Sequence, residues 1–173
     1  MTSIRRLTAA DAAAYRDIRL EALRTEPTAF SSDANREAGL TPSEWAARLE
    51  RNLTVGAADA AALSGVATLL TETGAKTRHR AHVAAVYVRP AARGRGVGRA
   101  MLAMLIGAAP DHVEQLNLSV TTDNAAARRL YERLGFETYG TEPRGLLVDG
   151  RYHDQYLMML RLQEGGRKVT NDE

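Results

Sequence analysis

The sequence predicts a single α+β domain built on a mixed, mostly antiparallel sheet. Three observations carry that expectation. The 173 residues suit one domain and are short for two. Segments of strand-like and helix-like apolar spacing interleave along the chain. Their order is strand, helix, helix, three strands, helix, strand, helix, two strands, and the strand–helix–strand crossover in the middle implies a parallel pair there.

Ile4 to Leu7 reads as a short edge strand. Thr8 stands three residues before Asp11, the spacing of a capping box, and Ala14, Ile18, Ala22 and Leu23 follow at helical intervals. A helix is therefore expected from about Ala9 to Arg24, ended by Pro27. Glu26 to Leu40 has no clear period and is expected to be a long loop or a broken helix, the kind of segment that lines binding sites. Thr41-Pro42-Ser43-Glu44 is a second capping box with proline at the first helical position, and it opens a helix carrying Trp45, Ala46 and Leu49.

Leu53 to Val55 and Ala61 to Leu70 read as strands joined near Asp59, followed by a turn at Glu72 to Lys76. Ala81 to Val88 is a strand stopped by Pro90, and Gly98 to Ile106 is a helix with Met101, Leu102, Leu105 and Ile106 on one face. Leu116 to Val120 alternates as a strand. Asp123 to Leu134 is a helix, with Ala126, Leu130 and Leu134 on its apolar side and Gly135 at its C-terminal stop. Phe136 to Tyr139 and Gln155 to Leu160 are the last strands, and Asp149-Gly150 between them is a hairpin signal. Residues 1–163 make up the domain, and the polar stretch Glu164 to Glu173 is expected to be a flexible tail.

Composition narrows the function classes. Hydrophobic residues are 45% and charged residues 25%, the balance of a globular domain rather than a disordered chain. With no cysteine, disulfides, thiolate zinc sites and cysteine nucleophiles are excluded, and no metal site is expected. No apolar run approaches the ~20 residues of a membrane span, and no signal peptide is evident, so a cytoplasmic protein without a membrane partner is expected. Net charge is +2 and the basic residues are nearly all arginine, Lys76 and Lys168 being the only lysines. The arginines are scattered and form no basic module, so no nucleic-acid partner is expected.

The informative segment runs from Val86 to Arg99. A strand leads into Arg93-Gly94-Arg95-Gly96-Val97-Gly98-Arg99 and an amphipathic helix leads out. The glycines let backbone approach a ligand closely, and unpaired N–H groups with the helix dipole favour an anion such as a pyrophosphate. A P-loop would need Gly-Lys-Ser or Gly-Lys-Thr, which is absent. A dinucleotide fingerprint needs G-x-G-x-x-G, and here the glycines fall as G-x-G-x-G. A third pattern fits at every fixed position: Arg or Gln, two variable residues, Gly, one variable residue, then Gly or Ala. A second block follows the strand Leu116 to Val120, namely Asn124-Ala125-Ala126-Ala127-Arg128-Arg129-Leu130-Tyr131-Glu132-Arg133-Leu134-Gly135-Phe136. Together, in this order, the two blocks resemble the GNAT superfamily of acetyl-CoA-dependent N-acetyltransferases over nearly the whole chain, from Ile4 to Leu162.

The resemblance implies a three-layer fold with about seven strands and about four helices, and acetyl-CoA as cosubstrate. It implies that Val86, Tyr87 and Val88 run along the pantetheine, and that a backbone N–H there polarises the thioester carbonyl. The amides of Arg93, Gly94, Arg95, Gly96, Val97, Gly98 and Arg99 would hold the pyrophosphate. Asn124 would contact the cofactor arm, and the Tyr131 hydroxyl would lie near the sulfur, where it stabilises the leaving thiolate. The family's commonest acidic base positions fall on His82 and Ser119 in this chain, and His82 is the candidate to accept the amine proton. The acceptor, a small-molecule or peptide amine, would sit among Phe30 to Leu40, Trp45 and Arg144 to Asp154. His153 is a further candidate to line it, and Asp33, Glu37, Asp149 and Asp154 are candidates to attract a cation. Homodimers are common in such folds, but no interface is legible. An acyl-CoA sensor without turnover would carry the same two blocks and is the alternative.

Overall fold

In the computed structural model, which describes residues 2–59 and 62–162, seven strands form one sheet. They are β1 (Ser3–Arg6), β2 (Leu53–Asp59), β3 (Ala62–Thr71), β4 (Arg80–Val88), β5 (Gln115–Thr121), β6 (Glu137–Val148) and β7 (Arg151–Arg161), in the spatial order β1-β2-β3-β4-β5-β7-β6. Neighbours pair antiparallel except β4 and β5, which pair parallel across the expected crossover. Ala61 and the expected tail 164–173 lie outside the described residues.

Among the described residues five α-helices cover the sheet, in place of about four expected: α1 (Ala12–Thr25), α2 (Ala34–Ala38), α3 (Pro42–Arg51), α4 (Val97–Gly107) and α5 (Ala125–Arg133). The addition is α2, a single short helix inside the segment without period, capped by the Asp33 side chain on the Arg36 N–H at 2.7 Å. Both capping boxes form, at Thr8/Asp11 and Thr41/Glu44, although the first residues after Thr8 make a tight 3-10 turn before α1 begins.

The two faces of the sheet carry separate cores. Tyr15 and Ile18 of α1 and Trp45 and Leu49 of α3 pack with Leu7, Val66 and Tyr87 on one face. Met101, Leu102 and Leu105 of α4 and Tyr131 of α5 pack with Val55, Leu69, Leu116 and Phe136 on the other. These make the three layers. No helix among the described residues is long and apolar enough to cross a membrane.

Two expectations need correcting. The apolar side of α5 is Ala127, Leu130 and Tyr131 rather than Ala126, which is exposed. The last two strands are much longer than Phe136 to Tyr139 and Gln155 to Leu160. Pro143 and Gly145 look like breakers in the sequence, but β6 is an edge strand that absorbs them in a register shift between Glu142 and Leu146. The turn itself is as read, with φ of 48° at Asp149 and 75° at Gly150, the positive values a two-residue hairpin demands.

Candidate active site

The site begins where β4 and β5 part. Their ladder holds only Arg80 to His82 against Gln115 to Asn117, after which β5 continues against β7 alone. Beyond His82 the β5-facing edge of β4 has no strand partner. Ala85 lies at the parting with φ 54°, and the β3–β4 register shifts beside it. A non-glycine residue held there costs of order 1–3 kcal/mol, strain that the surrounding packing must support. Val86 and Val88 turn their side chains into the core below α4, and Tyr87 into the core below α1. The Tyr87 hydroxyl donates to Glu21 Oε1 at 3.0 Å. The strand is thereby clamped by its side chains while its free edge faces the cleft.

The glycine-rich turn follows directly. Gly94 and Gly96 have φ of 75° and 77°, and a Cβ at either would meet no protein atom within 4 Å. Glycine is needed here for conformation and for the open space outside, not for internal packing. Ala100 is the first α4 residue whose N–H reaches back to a carbonyl, that of Gly96 at 3.0 Å. Among the described residues no carbonyl accepts from the N–H groups of Gly94, Arg95, Gly96, Val97, Gly98 or Arg99. Arg93 differs: its N–H donates to the Pro90 carbonyl at 3.2 Å, its Nε to the Val88 carbonyl at 2.8 Å, and its Nη2 to Glu26. Arg93 is thus a brace between the turn and α1, while Arg95 and Arg99 are exposed with no ion-pair partner among the described residues.

Helix α5 closes the other side. A Cβ on Gly98 would come within 3.1 Å of Leu130 Cδ2, so α4 and α5 touch at the turn. Asn124 caps α5, its Oδ1 accepting from the Ala127 N–H at 3.1 Å. Tyr131 is 7% exposed, with its ring edge-to-face on Phe136 at 5.9 Å. Its hydroxyl has no hydrogen-bond partner among the described residues. Burial pushes the Tyr131 phenol up to about 12, so it stays a donor throughout the physiological range.

On the α1 side of the parting lies a cavity of 380 Å³. Ala84, Ala85 and Ser119 form its sheet end, and Phe30, Arg19, Glu37, Arg48 and Arg51 its helical end. The expected segment Phe30 to Leu40 therefore contributes Phe30, Ser31, Ser32 and Glu37, and Ser119 is present. Trp45 and Arg144 to Asp154 are not in the lining. Trp45 is core, edge-to-face with Tyr15 at 5.7 Å. Asp154 accepts from the Arg144 N–H within its own hairpin, and His153 sits 3.5 Å from Asp123. His82 also falls outside the lining, with its side chain 48% exposed. It stands beside Leu70 and two residues before Ala84, both of which do line the cavity, and its Nε2 lies 3.0 Å from Glu72 Oε1.

The four acids do not make an acidic pocket. Asp33 caps α2, Asp149 is in the hairpin turn, and Asp154 bonds its hairpin. Glu37 alone lines the cavity, and it is held by Arg19 and Arg48, each at 3.1 Å. Burial opposes its ionisation most strongly, but the two guanidinium groups together hold the carboxyl below its usual range. The lining thus carries Arg19, Arg48 and Arg51 against one carboxylate. Sequence reasoning missed this arginine cluster, because its members come from two helices that only the fold brings together.

Comparison with known proteins identifies the family and the fold. The family model for acetyltransferases of the GNAT family matches residues 15–136. The L-amino acid N-acetyltransferase of Escherichia coli is 35% identical over 83 residues, 46% of this chain and 51% of that protein. The L-methionine sulfoximine/L-methionine sulfone acetyltransferase of Salmonella typhimurium is 36% identical over 80 residues, 46% of this chain and 47% of that protein. The chain thus spans about half the length of these two relatives. A Salmonella typhimurium acetyltransferase solved with its cofactor acetyl-CoA superposes with a TM-score of 0.79 at 25% identity, covering 98% of this chain and 99% of that one. The chain belongs to the acetyltransferase (GNAT) family, whose cosubstrate is acetyl-CoA.

Proposed function

We propose that the chain transfers the acetyl group of acetyl-CoA to a primary amine of a small molecule or peptide, by direct attack with both substrates bound. The observation that carries this reading is the run of uncommitted N–H groups from Gly94 to Arg99, set between the free edge of β4 and the Tyr131 helix. The relatives named for amino-acid acceptors favour a small molecule over a peptide.

Acetyl-CoA supplies an activated acetyl carbonyl and a thiolate leaving group. The chain's residues supply the rest. The amides of Gly94 to Arg99, with Arg95 and Arg99 around them, hold the diphosphate. The free edge of Val86, Tyr87 and Val88 pairs with the pantetheine as an added strand would, and an N–H on that edge polarises the carbonyl. Asn124 keeps its side-chain N–H groups for the cofactor arm, since its oxygen is engaged in capping. The Tyr131 hydroxyl donates a hydrogen bond to the sulfur. Burial keeps the phenol protonated, so it is placed to stabilise the leaving thiolate and to supply its proton. The proton of the attacking amine leaves through water to His82, outside the lining but beside Leu70, because Glu37, the carboxylate in the lining, is tied to two arginines.

The test is release of CoA thiol with a panel of amines, amino acids, polyamines and peptides. Saturable release with at least one acceptor is expected. Tight acetyl-CoA binding without release from any acceptor would instead indicate a sensor module.

A further inference from the structure

We infer that the helical end of the acceptor cavity is a carboxylate subsite, formed by Arg19 and Arg48, so that the acceptor is an amine carrying its own carboxylate, the chemistry of a free amino acid. This rests on the acetyl-transfer reading of the same site and specifies its substrate class.

The cluster is built around one carboxylate that holds two arginines. Arg19, 6% exposed, presents Nε and Nη2 to the two oxygens of Glu37, both at 3.1 Å. That fork leaves Nη1 pointing elsewhere, and Nη1 is a buried donor with no partner. A charged donor left unpaired in a buried place is costly. Among the described residues, buried side-chain atoms without partners occur at Arg19 Nη1, Trp45 Nε1 and Arg80 Nε. Of these three residues only Arg19 lines the cavity. Arg48 offers its Nη1 to Glu37 Oε2 at 3.1 Å and stays partly open to the cavity, while Arg51 adds charge at the rim.

Charge decides the sign of the ligand. Three arginines against one glutamate leave the helical end positive, and Glu37 has no capacity to bind a cation while both guanidinium groups occupy it. An ammonium is repelled from this end, whereas a carboxylate pairs with the Arg48 guanidinium, whose side chain is 31% exposed, and reaches the closed-off Nη1 of Arg19 once the side chains shift around it. The Arg19 guanidinium lies over the Phe30 ring, 5.0 Å from its centroid. The opposite end, at Ala84, Ala85 and Ser119, borders the parting of the strands where the acetyl group is delivered. An acceptor with its carboxylate on the arginines therefore turns its amine toward the reaction. The cavity of 380 Å³ suits a ligand of that size.

The experiment compares kcat/KM for L-amino acids with their amides, their decarboxylated amines and dipeptides, using intact protein saturated with acetyl-CoA. A charge-assisted pair predicts about 10- to 100-fold preference for the acid over the amide. Arg48→Gln is expected to reduce that acid-to-amide ratio by about tenfold while retaining acetyl-CoA affinity by calorimetry. Arg19→Gln is the more direct change but leaves Glu37 half-paired in a buried site and endangers the fold. Arg48, being partly exposed, avoids that. As a second readout, the carboxylic acid lacking the amine should compete with the acceptor and not with acetyl-CoA. Amides and simple amines used as well as the acids would overturn the subsite and leave acetyl transfer standing. So would an unchanged ratio in Arg48→Gln. Absence of CoA release with every acceptor would overturn the transfer reading itself, and the subsite with it.

Discussion

Replacing Tyr131 by phenylalanine separates packing from chemistry at one atom. The ring of Tyr131 is buried against Phe136, and phenylalanine keeps that contact. The hydroxyl has no hydrogen-bond partner among the described residues, so its removal orphans nothing there. Stability should then change by less than about 1 kcal/mol, or a few degrees in Tm for a chain of this length. Catalysis should respond quite differently. A donor aimed at developing negative charge contributes about 2–3.5 kcal/mol, which is about a 30- to 300-fold fall in kcat. Acetyl-CoA affinity should move by less than about threefold, since the bond is made to the leaving thiolate and not to the bound thioester. Because the phenol stays protonated until about 12, wild-type kcat should show no decline up to pH 10 from loss of this donor. The assays are thiol release at saturating substrates, calorimetric binding and thermal unfolding. A fall in kcat under threefold, or a loss of several kcal/mol in stability, would refute the assignment.

Other outcomes follow from the same geometry. Gly96→Ala forces a Cβ into a φ of 77°, so it should cost about 1–2 kcal/mol of stability and weaken CoA at least tenfold, measured by unfolding and calorimetry; unchanged affinity would argue against the turn as the diphosphate site. His82→Gln should lower kcat/KM by about 3- to 10-fold near neutral pH and recover toward wild type above the acceptor's own pKa, as for a proton acceptor working through water; a loss independent of pH would make His82 structural. Acid should destabilise the chain. Hydrogen bonding from Arg5 draws the Asp11 carboxyl down to about 2, and Thr77 with His82 draws Glu72 to about 2. The unfolded chain binds protons near 4, so the stability these groups supply is present above that pH and is lost as pH falls toward 2. Urea midpoints between pH 5 and 2.5 should fall, and less steeply in Asp11→Asn.

Much of this arrangement was legible in the chain because its signals are local. Caps at Thr8 and Thr41, the apolar spacing of Met101 to Ile106 and the Asp149-Gly150 turn each depend on residues within a few positions of one another. The glycine-rich turn was legible for the same reason: Gly94 and Gly96 are required by the φ values of the turn itself. What escaped was set by distant partners. The kink at Ala85 has no glycine to announce it and lies where β4 leaves β5, which stays paired with β7 throughout. The length of β6 was hidden by Pro143, which an edge strand tolerates. Glu37 suggested a cation site when read alone. Its true environment depends on Arg19 and Arg48, 18 and 11 positions away, which meet it only after α1, α2 and α3 have packed.

The central claim is that the free amides of Gly94 to Arg99 grip the diphosphate of the cosubstrate. Nitrogen-15 NMR of the labelled chain titrated with CoA tests it residue by residue. One saturable transition is expected, in which the amide signals of Gly94, Arg95, Gly96, Val97, Gly98 and Arg99 move most, while that of Arg93, already bonded to Pro90, moves least within the turn. Signals of this turn unmoved at saturating CoA, or the largest shifts gathered elsewhere on the sheet, would contradict it.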